Sequence, residues 1–401
     1  MAERNTQFLQ DAQALQGELE AWRRELHQHP ELGFDLAFTK AFVKARLVSH
    51  LLQPAECGKA GLTVLAGKSA KKSVLIRGDM DALPIQEEAD VPYCSLTPGK
   101  MHASGHDMHT AMMLGAAKLL KQHEDKLAGQ VKLMYQPAEE IMGGADDMIK
   151  NGVLEGVDAA LMMHVMTGTP IPKGCIMIPD GGTGSASSDK FRITVKGKGG
   201  HGAMPQLSVD PITALAHIHL ALQEIHAREL TPGDFLVITP GMFQAGNAAN
   251  IIPDTAFLEG TIRTGDEAMV EFAKKRIREI AEATAQAFRT EAVVEFKDHC
   301  PPMIADGDMS ASARKFLTEL LPRNVLPPVT GNVNKIGGGS EDFAFVSIKV
   351  PTIGLFLSTG GTGEGYQYPQ HHPKAVFDDS VLHLGAAAYA WFALRWLEEN
   401  N

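Results

Sequence analysis

Residues 101–140 read MHASGHDMHTAMMLGAAKLLKQHEDKLAGQVKLMYQPAEE, and two kinds of pattern meet inside them. Thr110 to Gln122 is an apolar, alanine- and leucine-rich run that reads as a helix, whereas Val131 to Tyr135 is a short apolar run closed by Pro137 that reads as a buried strand. Two further runs of the second kind, Val74 to Arg77 and Ala159 to Met163, stand on either side of it in the chain. Strands alternating with helices imply a largely parallel α/β sheet, whose ligand sites lie beyond the carboxyl ends of the strands. Towards the N-terminus, Phe8, Ala12, Leu15, Leu19, Trp22 and Leu26 step by four and three, which predicts one amphipathic helix stopping before Pro30. Ser380 to Glu399 predicts another helix at the C-terminal end.

Between about Ser188 and Pro302 the order changes to strand (Phe191 to Val195), helix (Asp210 to His226), two strands (Phe235 to Gly241 and Thr255 to Arg263), helix (Asp266 to Phe288) and strand (Ala292 to Phe296). That order is a ferredoxin-like unit. Asp210 followed by Pro211 suits a helix start, as an N-cap side chain and a proline at the first helical position. The expected organisation is therefore a catalytic domain of residues 1–187 and 303–401, its sheet resuming near Met303 and including Val350 to Leu357, with an inserted α+β domain at 188–302.

A length of 401 residues suits two domains better than one core. The formal net charge of −11 disfavours nucleic acid or an acidic membrane as partner and favours a small soluble ligand. Cys57, Cys94, Cys175 and Cys300 show no CxxC spacing, so neither a disulfide framework nor a cysteine zinc ribbon is expected, and a reducing cytoplasm is the expected location. No apolar run approaches the roughly 20 residues that span a bilayer.

Chemistry-bearing residues gather at the predicted strand ends. Glu139 and Glu140 follow the second strand; adjacent side chains point apart, so one can hold a metal while the other serves as general base, although by themselves the pair reads more readily as solvated acids in a loop. His102, His106 and His109 surround Asp107 before the helix, an invitation to a metal with a carboxylate to fix a ring tautomer, or else a loop of helix-capping polar groups. His164 follows the third strand, and His371 and His372 lie in QHHP. Arg77, Asp79 and Asp81 follow the first strand; Asp81 can orient a ligand histidine or the site loop, and pairing with Arg77 or loop capping is the alternative. His27 and His29 can chelate or can finish a helix. Gly197, Gly199 and Gly202 fit G-x-G-x-x-G, but Pro205 interrupts the helix that a dinucleotide fold needs, and Gly337 to Gly339 before Ser340, Glu341 and Asp342 meet neither a phosphate-loop nor a serine-elbow template.

In their shared order, RRELHQHPELGF, RGDMDALPIQEE, MHASGHDMHTAMMLG, YQPAEE, MMHV, KGKGGHGAMP, DPI, NIIPD, EGTIRT, GGGSEDF and HHP resemble the metallopeptidase group of hippurate hydrolases, auxin-conjugate hydrolases and N-acyl amino acid deacetylases, over nearly the whole chain. The resemblance implies a dinuclear divalent-metal centre, manganese or zinc, in the larger domain, with the inserted domain as lid and dimerisation surface. By position, His106, Glu140, His164 and His371 match metal ligands, and Glu139 matches the general acid/base. Ser104 stands where the group normally carries a cysteine; a neutral hydroxyl binds soft metals less well than a thiolate and shifts preference towards harder ions such as manganese. His201 matches a lid histidine that reaches the neighbouring subunit's site to stabilise the oxyanion, and Asn250 and Arg263 match lid positions that hold substrate.

The activity this implies is metal-dependent hydrolysis of the amide bond of N-acyl amino acids by a homodimer or higher homo-oligomer. A dipeptidase or carboxypeptidase of the same fold, a non-catalytic binding protein weakened at Ser104, and a hydrolase using Ser104 as nucleophile near His106 are the alternatives.

Overall fold

Every residue of the strand Ser73–Asp79 is buried, so this segment can only lie at the centre of a sheet covered on both faces. The computed structural model, which describes residues 2–67, 71–327 and 339–401, places it there. Its neighbours on either side, Gln130–Gln136 and Ala159–Thr169, are both parallel to it, and Thr352–Gly361 runs parallel to the outer side of Ala159–Thr169. Short antiparallel strands complete seven: Gly61–Ala66 and then Ala55–Cys57 beyond Gln130–Gln136, and Ile176–Met177 beyond Thr352–Gly361. The chain leaves the central strand to one side and returns on the other, which opens a crevice at the carboxyl ends of these strands.

The described residues fall into two compact units, residues 2–182, 304–327 and 345–401 in the larger and 183–303 and 339–344 in the smaller. In the larger unit the helices His106–Gln122 and Leu382–Asn400 pack together on the sheet. Their closest approach is at Gly385 and Gly115: a Cβ on Gly385 would sit 1.9 Å from Met112 Sδ, and one on Gly115 would sit 2.9 Å from Ala386 Cβ. The predicted N-terminal helix is two, Ala2–Ala14 and Gln16–Gln28, broken at Leu15. The break keeps one apolar stripe on a curved core: Phe8, Ala12, Leu15, Leu19, Trp22 and Leu26 are all buried. Tyr389, on the C-terminal helix, accepts the Met163 N–H at 3.0 Å and donates to the Arg77 carbonyl at 2.8 Å, joining two strands where their own ladder, which ends at the Arg77–Met162 pair, stops. No helix among the described residues is long and apolar enough to cross a membrane.

The smaller unit has the ferredoxin-like order read from the sequence. Its four antiparallel strands lie in the order Leu236–Ala245, Thr255–Thr264, Ser188–Lys196, Glu291–Cys300. Phe191, Ile193 and Val195 point from the third of these into a separate core with Leu215 and Ile218 from the helix Pro211–Ala221 and Ile277 from the helix Glu267–Ala287. Asp210 caps the first helix by accepting from Ile212 N–H, and Asp266 caps the second by accepting from Met269 N–H. The glycine-rich segment after Lys196 continues into a two-residue strand, Gly200–His201, paired with Ile251–Ile252, and a 3-10 turn, Pro205–Leu207, in place of a phosphate-binding helix. Of the second glycine run, Gly337 and Gly338 lie outside the described residues.

A candidate metal centre at the strand ends

Asp81 is the first organiser of the site. Its carboxylate, fully buried, accepts the backbone N–H of Glu139 at 3.0 Å on one oxygen and that of Glu140 at 3.2 Å on the other. The turn it holds is tight: Ala138 takes φ 56°, its carbonyl accepts from Gly143 and Gly144, and a Cβ on Gly144 would fall 1.6 Å from the Pro137 carbonyl oxygen, so only glycine closes it. Asp81 also uses its own carbonyl oxygen, which accepts from His106 Nδ1–H at 2.8 Å. His106 is thereby fixed with its Nε2 lone pair facing inward. Of the two residues offered for this role, Asp107 points elsewhere. Consecutive helical residues diverge by about 100°, and Asp107 bonds Arg23 at 2.7 Å and His27 at 2.8 Å, so His27 belongs to a buried structural pair and not to a chelate. His29 bonds the Glu25 carbonyl within its own helix end, and His102 is buried, where desolvation pushes its pKa down to about 3.

Around His106 the other candidates converge. Its Nε2 is buried without a hydrogen-bond partner, 3.5 Å from Asp79 Oδ2 and 3.8 Å from Glu140 Oε1, itself a buried oxygen without a partner. His371, at φ 64° and anchored by its N–H to the Ala103 carbonyl, brings Nε2 to 3.7 Å from the same Glu140 oxygen and 3.1 Å from Ser104 Oγ. His164 lies inside the strand Ala159–Thr169 and not after it, because that strand runs six residues further than its apolar run suggested. Its Nδ1 donates to the Val165 carbonyl at 2.7 Å, leaving Nε2 free of that bond, and its ring stands edge-on to His106 at 5.8 Å. Ligand atoms of Asp79, His106 and Glu139 lie within 4.8 Å of one another, as do those of His106, His109 and His164. The sequence reading did not single out His109 within its cluster. It donates from Nδ1 to Asp79 and accepts the Val165 N–H on Nε2 at 2.8 Å.

Charge shows what the pocket lacks. Asp79, Asp81, Glu139 and Glu140 bring four carboxylates into one largely buried region, and Arg77 bonds Asp79 at 2.7 Å. The protonation equilibria respond accordingly. Glu140 is pushed up to about 7, first by desolvation and then by the charges of Asp81 and Asp79. Desolvation would lower His106, but Asp79, the bond to Asp81 and Glu140 together raise it to about 10. Asp79 stays well below the usual carboxylate range in spite of burial, because Arg77 and the two histidines face it. Burial lowers His164 and His371. Carboxylate oxygens and imidazole nitrogens converging in one pocket, with His106 Nε2 and Glu140 Oε1 buried without partners, fit divalent cations, so the donor set suits a metal centre.

The remaining expected residues belong to the smaller unit. His201 is exposed and accepts from Ala203 N–H; Asn250 is exposed in the turn before Ile251, and its carbonyl accepts from Gly202 N–H. Arg263 is half-buried on the strand Thr255–Thr264 and contacts Ser340 Oγ, with no carboxylate within ion-pair distance among the described residues; desolvation lowers its pKa.

Known proteins carry the same pattern. The chain matches Peptidase family M20/M25/M40 over residues 75–395. It is 35% identical over 379 residues to N-acetylcysteine deacetylase of Bacillus subtilis (strain 168), spanning 94% of this chain and 96% of that protein. It is 36% identical over 389 residues to IAA-amino acid hydrolase ILR1-like 4 of Arabidopsis thaliana, spanning 94% and 85%. The crystal structure of the Bacillus subtilis YXEP protein, a dinuclear metal binding peptidase from the M20 family, superposes with a TM-score of 0.81 at 31% identity, covering 96% of this chain and 99% of that one. With a family match across most of its length and relatives above 30% identity that span nearly all of it, this chain belongs to peptidase family M20/M25/M40.

Proposed function

We propose that the chain is a metal-dependent amidohydrolase that cleaves the amide bond of N-acyl amino acids. The observation that carries this reading is the pair of buried, partnerless atoms, His106 Nε2 and Glu140 Oε1, 3.8 Å apart among converging carboxylates and imidazoles. Ser104, His106, Glu140, His164 and His371 would hold two divalent ions. A donor set of nitrogen and oxygen alone favours manganese over softer ions, with zinc as the competitor. Such ions, when bound, supply Lewis acidity and lower the pKa of a water. Glu139, buried beside them on the turn held by Asp81, takes the proton of the attacking water and returns it to the leaving amine nitrogen. Asp81 acts through that turn and through His106. In the smaller unit, Arg263 suits the substrate carboxylate, and Asn250 and His201 are assigned to the substrate and the developing oxyanion.

The outer edge of the strand Leu236–Ala245 carries no partner strand among the described residues, and exposed Val237 and Phe243, with Leu220 on the neighbouring helix, support a homodimer formed there. Four free cysteines are consistent with the cytoplasm. The test is hydrolysis of N-acetyl, N-benzoyl and indole-acetyl amino acids by metal-stripped protein, with manganese, zinc, cobalt or nothing restored. Metal-restored cleavage by the wild type, abolished in Glu139→Gln while metal is still bound, is expected; near-normal turnover by Glu139→Gln refutes the role of Glu139. A serine mechanism has one observation in its favour, the 3.1 Å contact of Ser104 Oγ with His371 Nε2. Activity that resists chelators and yields to serine-directed reagents would select it.

A further inference from the structure

His109 stands among the candidate ligands, yet both of its nitrogens are occupied. The Val165 N–H donates to Nε2 at 2.8 Å, which requires that nitrogen to be unprotonated and uses its lone pair; the proton is therefore on Nδ1, which donates it to Asp79. Nothing is left with which to bind a cation. The ring nevertheless packs against both neighbours, stacked on His106 at 5.3 Å and edge-on to His164 at 4.6 Å.

We propose that His109 is a positioning residue of the metal centre and not a ligand of it, and that it works by fixing the backbone of Val165, to which the His164 ring is bonded. Val165 is held at its N–H by His109, while its carbonyl, in the next peptide unit, accepts His164 Nδ1–H at 2.7 Å and Gln370 Nε2–H at 2.9 Å. The ladder between the strands Ser73–Asp79 and Ala159–Thr169 ends at the Arg77–Met162 pair, so His109 supplies the hydrogen bond that the strand pairing no longer provides at Val165. At its far end the path continues through Asp79 to Arg77, whose Nε bonds Gln136 Oε1 at 2.8 Å, on the strand that leads into the Glu139–Glu140 turn. One buried chain of hydrogen bonds thus links the strands that carry His164 and the two glutamates. This rests on the metal-centre reading given above.

The experiment is cobalt(II) titration of the metal-stripped protein, followed by calorimetry and by the visible absorption of the bound ion, for the wild type, His109→Leu and His109→Gln. The leucine variant is expected to bind as many ions as the wild type, with affinity lower by about 10–100-fold, in the range found when a group supporting a ligand is removed, and with a shifted spectrum because the His164 ring turns. Glutamine, whose amide can accept from Val165 and donate to Asp79, is expected to recover most of both. Loss of one ion in both variants would make His109 a ligand and overturn the proposal. An unchanged affinity and spectrum in the leucine variant would also overturn it. If that variant does not fold, His109→Asn, whose shorter amide can donate to Asp79 but does not reach the Val165 N–H, takes its place with the same expected and refuting results. A wild type that takes up no cobalt refutes the metal centre itself, a result distinct from the others.

Discussion

Replacing Asp81 by Asn isolates the turn that carries Glu139 and Glu140. The carboxylate accepts two backbone N–H groups, at 3.0 and 3.2 Å, from a site without exposure to solvent. Asparagine keeps one acceptor oxygen and presents an NH2 where the second was, so one bond to a charged group is lost and two donors face each other. Bonds of this kind contribute about 1.5–3 kcal/mol, and loss of one lowers the melting temperature by roughly 3–12 °C for a unit of this size. The effect on catalysis is larger in proportion, since a displacement of about 1 Å at a reacting group costs on the order of a hundredfold in rate. The assay pairs thermal melting of the metal-free protein with kcat and KM for an N-acyl amino acid. We expect kcat to fall about a hundredfold with KM little changed, because the substrate contacts assigned to Asn250 and Arg263 are untouched. A variant within twofold of the wild-type kcat and within a degree of its melting temperature would refute the claim that Asp81 holds the turn.

Tyr389→Phe keeps the ring and removes only the hydroxyl between Met163 and Arg77; denaturant unfolding should show a loss of about 1–3 kcal/mol, and an unchanged midpoint would deny the hydroxyl its stitching role. Asp107→Asn removes the nearer of two carboxylates facing buried Arg23 and leaves Asp379, at 3.8 Å, as its counter-ion, so a loss of about 1.5–3 kcal/mol is expected in the same measurement, with failure if the cost is below about 1 kcal/mol. In the smaller unit, His299 donates to Asp189 at 2.8 Å and lies 3.3 Å from Glu267; the bond to Asp189 raises its pKa above the ordinary 6.5 despite partial desolvation and the nearby Lys274. A raised folded-state value means stability that is full below pH 6.5 and lost as the pH climbs through that value. Because the group is partly exposed, the melting temperature should drop by only about 1–3 °C across that window, and His299→Gln should flatten the dependence; an unchanged slope in that variant refutes the assignment. If the proposed dimer forms on this edge, Phe243→Glu combined with Leu220→Glu should leave only monomer in analytical ultracentrifugation where the wild type is dimeric; a wild-type monomer would refute the dimer, and an unaffected dimer would place the interface elsewhere.

The α/β character was legible because the central strands are buried on both faces and therefore carry continuous apolar runs before their charged ends, and the ferredoxin-like unit because its caps, Asp210 and Asp266, stand where helices begin. The pieces that escaped are those without a pattern of their own: Gly61–Ala66, with Ala55–Cys57 beside it, is a short outer strand held by Gln130–Gln136, remote in sequence, and the helix Ala37–Ser49 is capped not at Leu36 but from Glu31, which accepts from the Phe38 and Thr39 N–H groups. At the site, sequence spacing brought forward Glu139, Glu140, His106, His164 and His371, and offered both Asp107 and Asp81 to orient a ligand histidine. Asp107 is adjacent to His106 in the chain and points away from it on the helix, whereas the Asp81 carbonyl is a backbone atom and leaves no mark in residue type. The role of Asp79 as the hub between Arg77, His109 and His106 was half visible, since pairing with Arg77 was one of its two readings.

The larger unit is interrupted by the smaller one, and His371 reaches its place through an N–H bond to Ala103, 268 residues earlier in the chain. During synthesis the residues from Asp79 to His164 emerge together, while His371 follows 207 residues later, an interval of roughly 10–40 s at ordinary elongation rates. Through that interval the growing chain holds a cluster of acids and imidazoles without its last member. A cation caught early would meet an incomplete and more open set of donors, so the ion finally retained reflects which metal can exchange until the C-terminal strand docks beside Ala159–Thr169, and not which one arrived first.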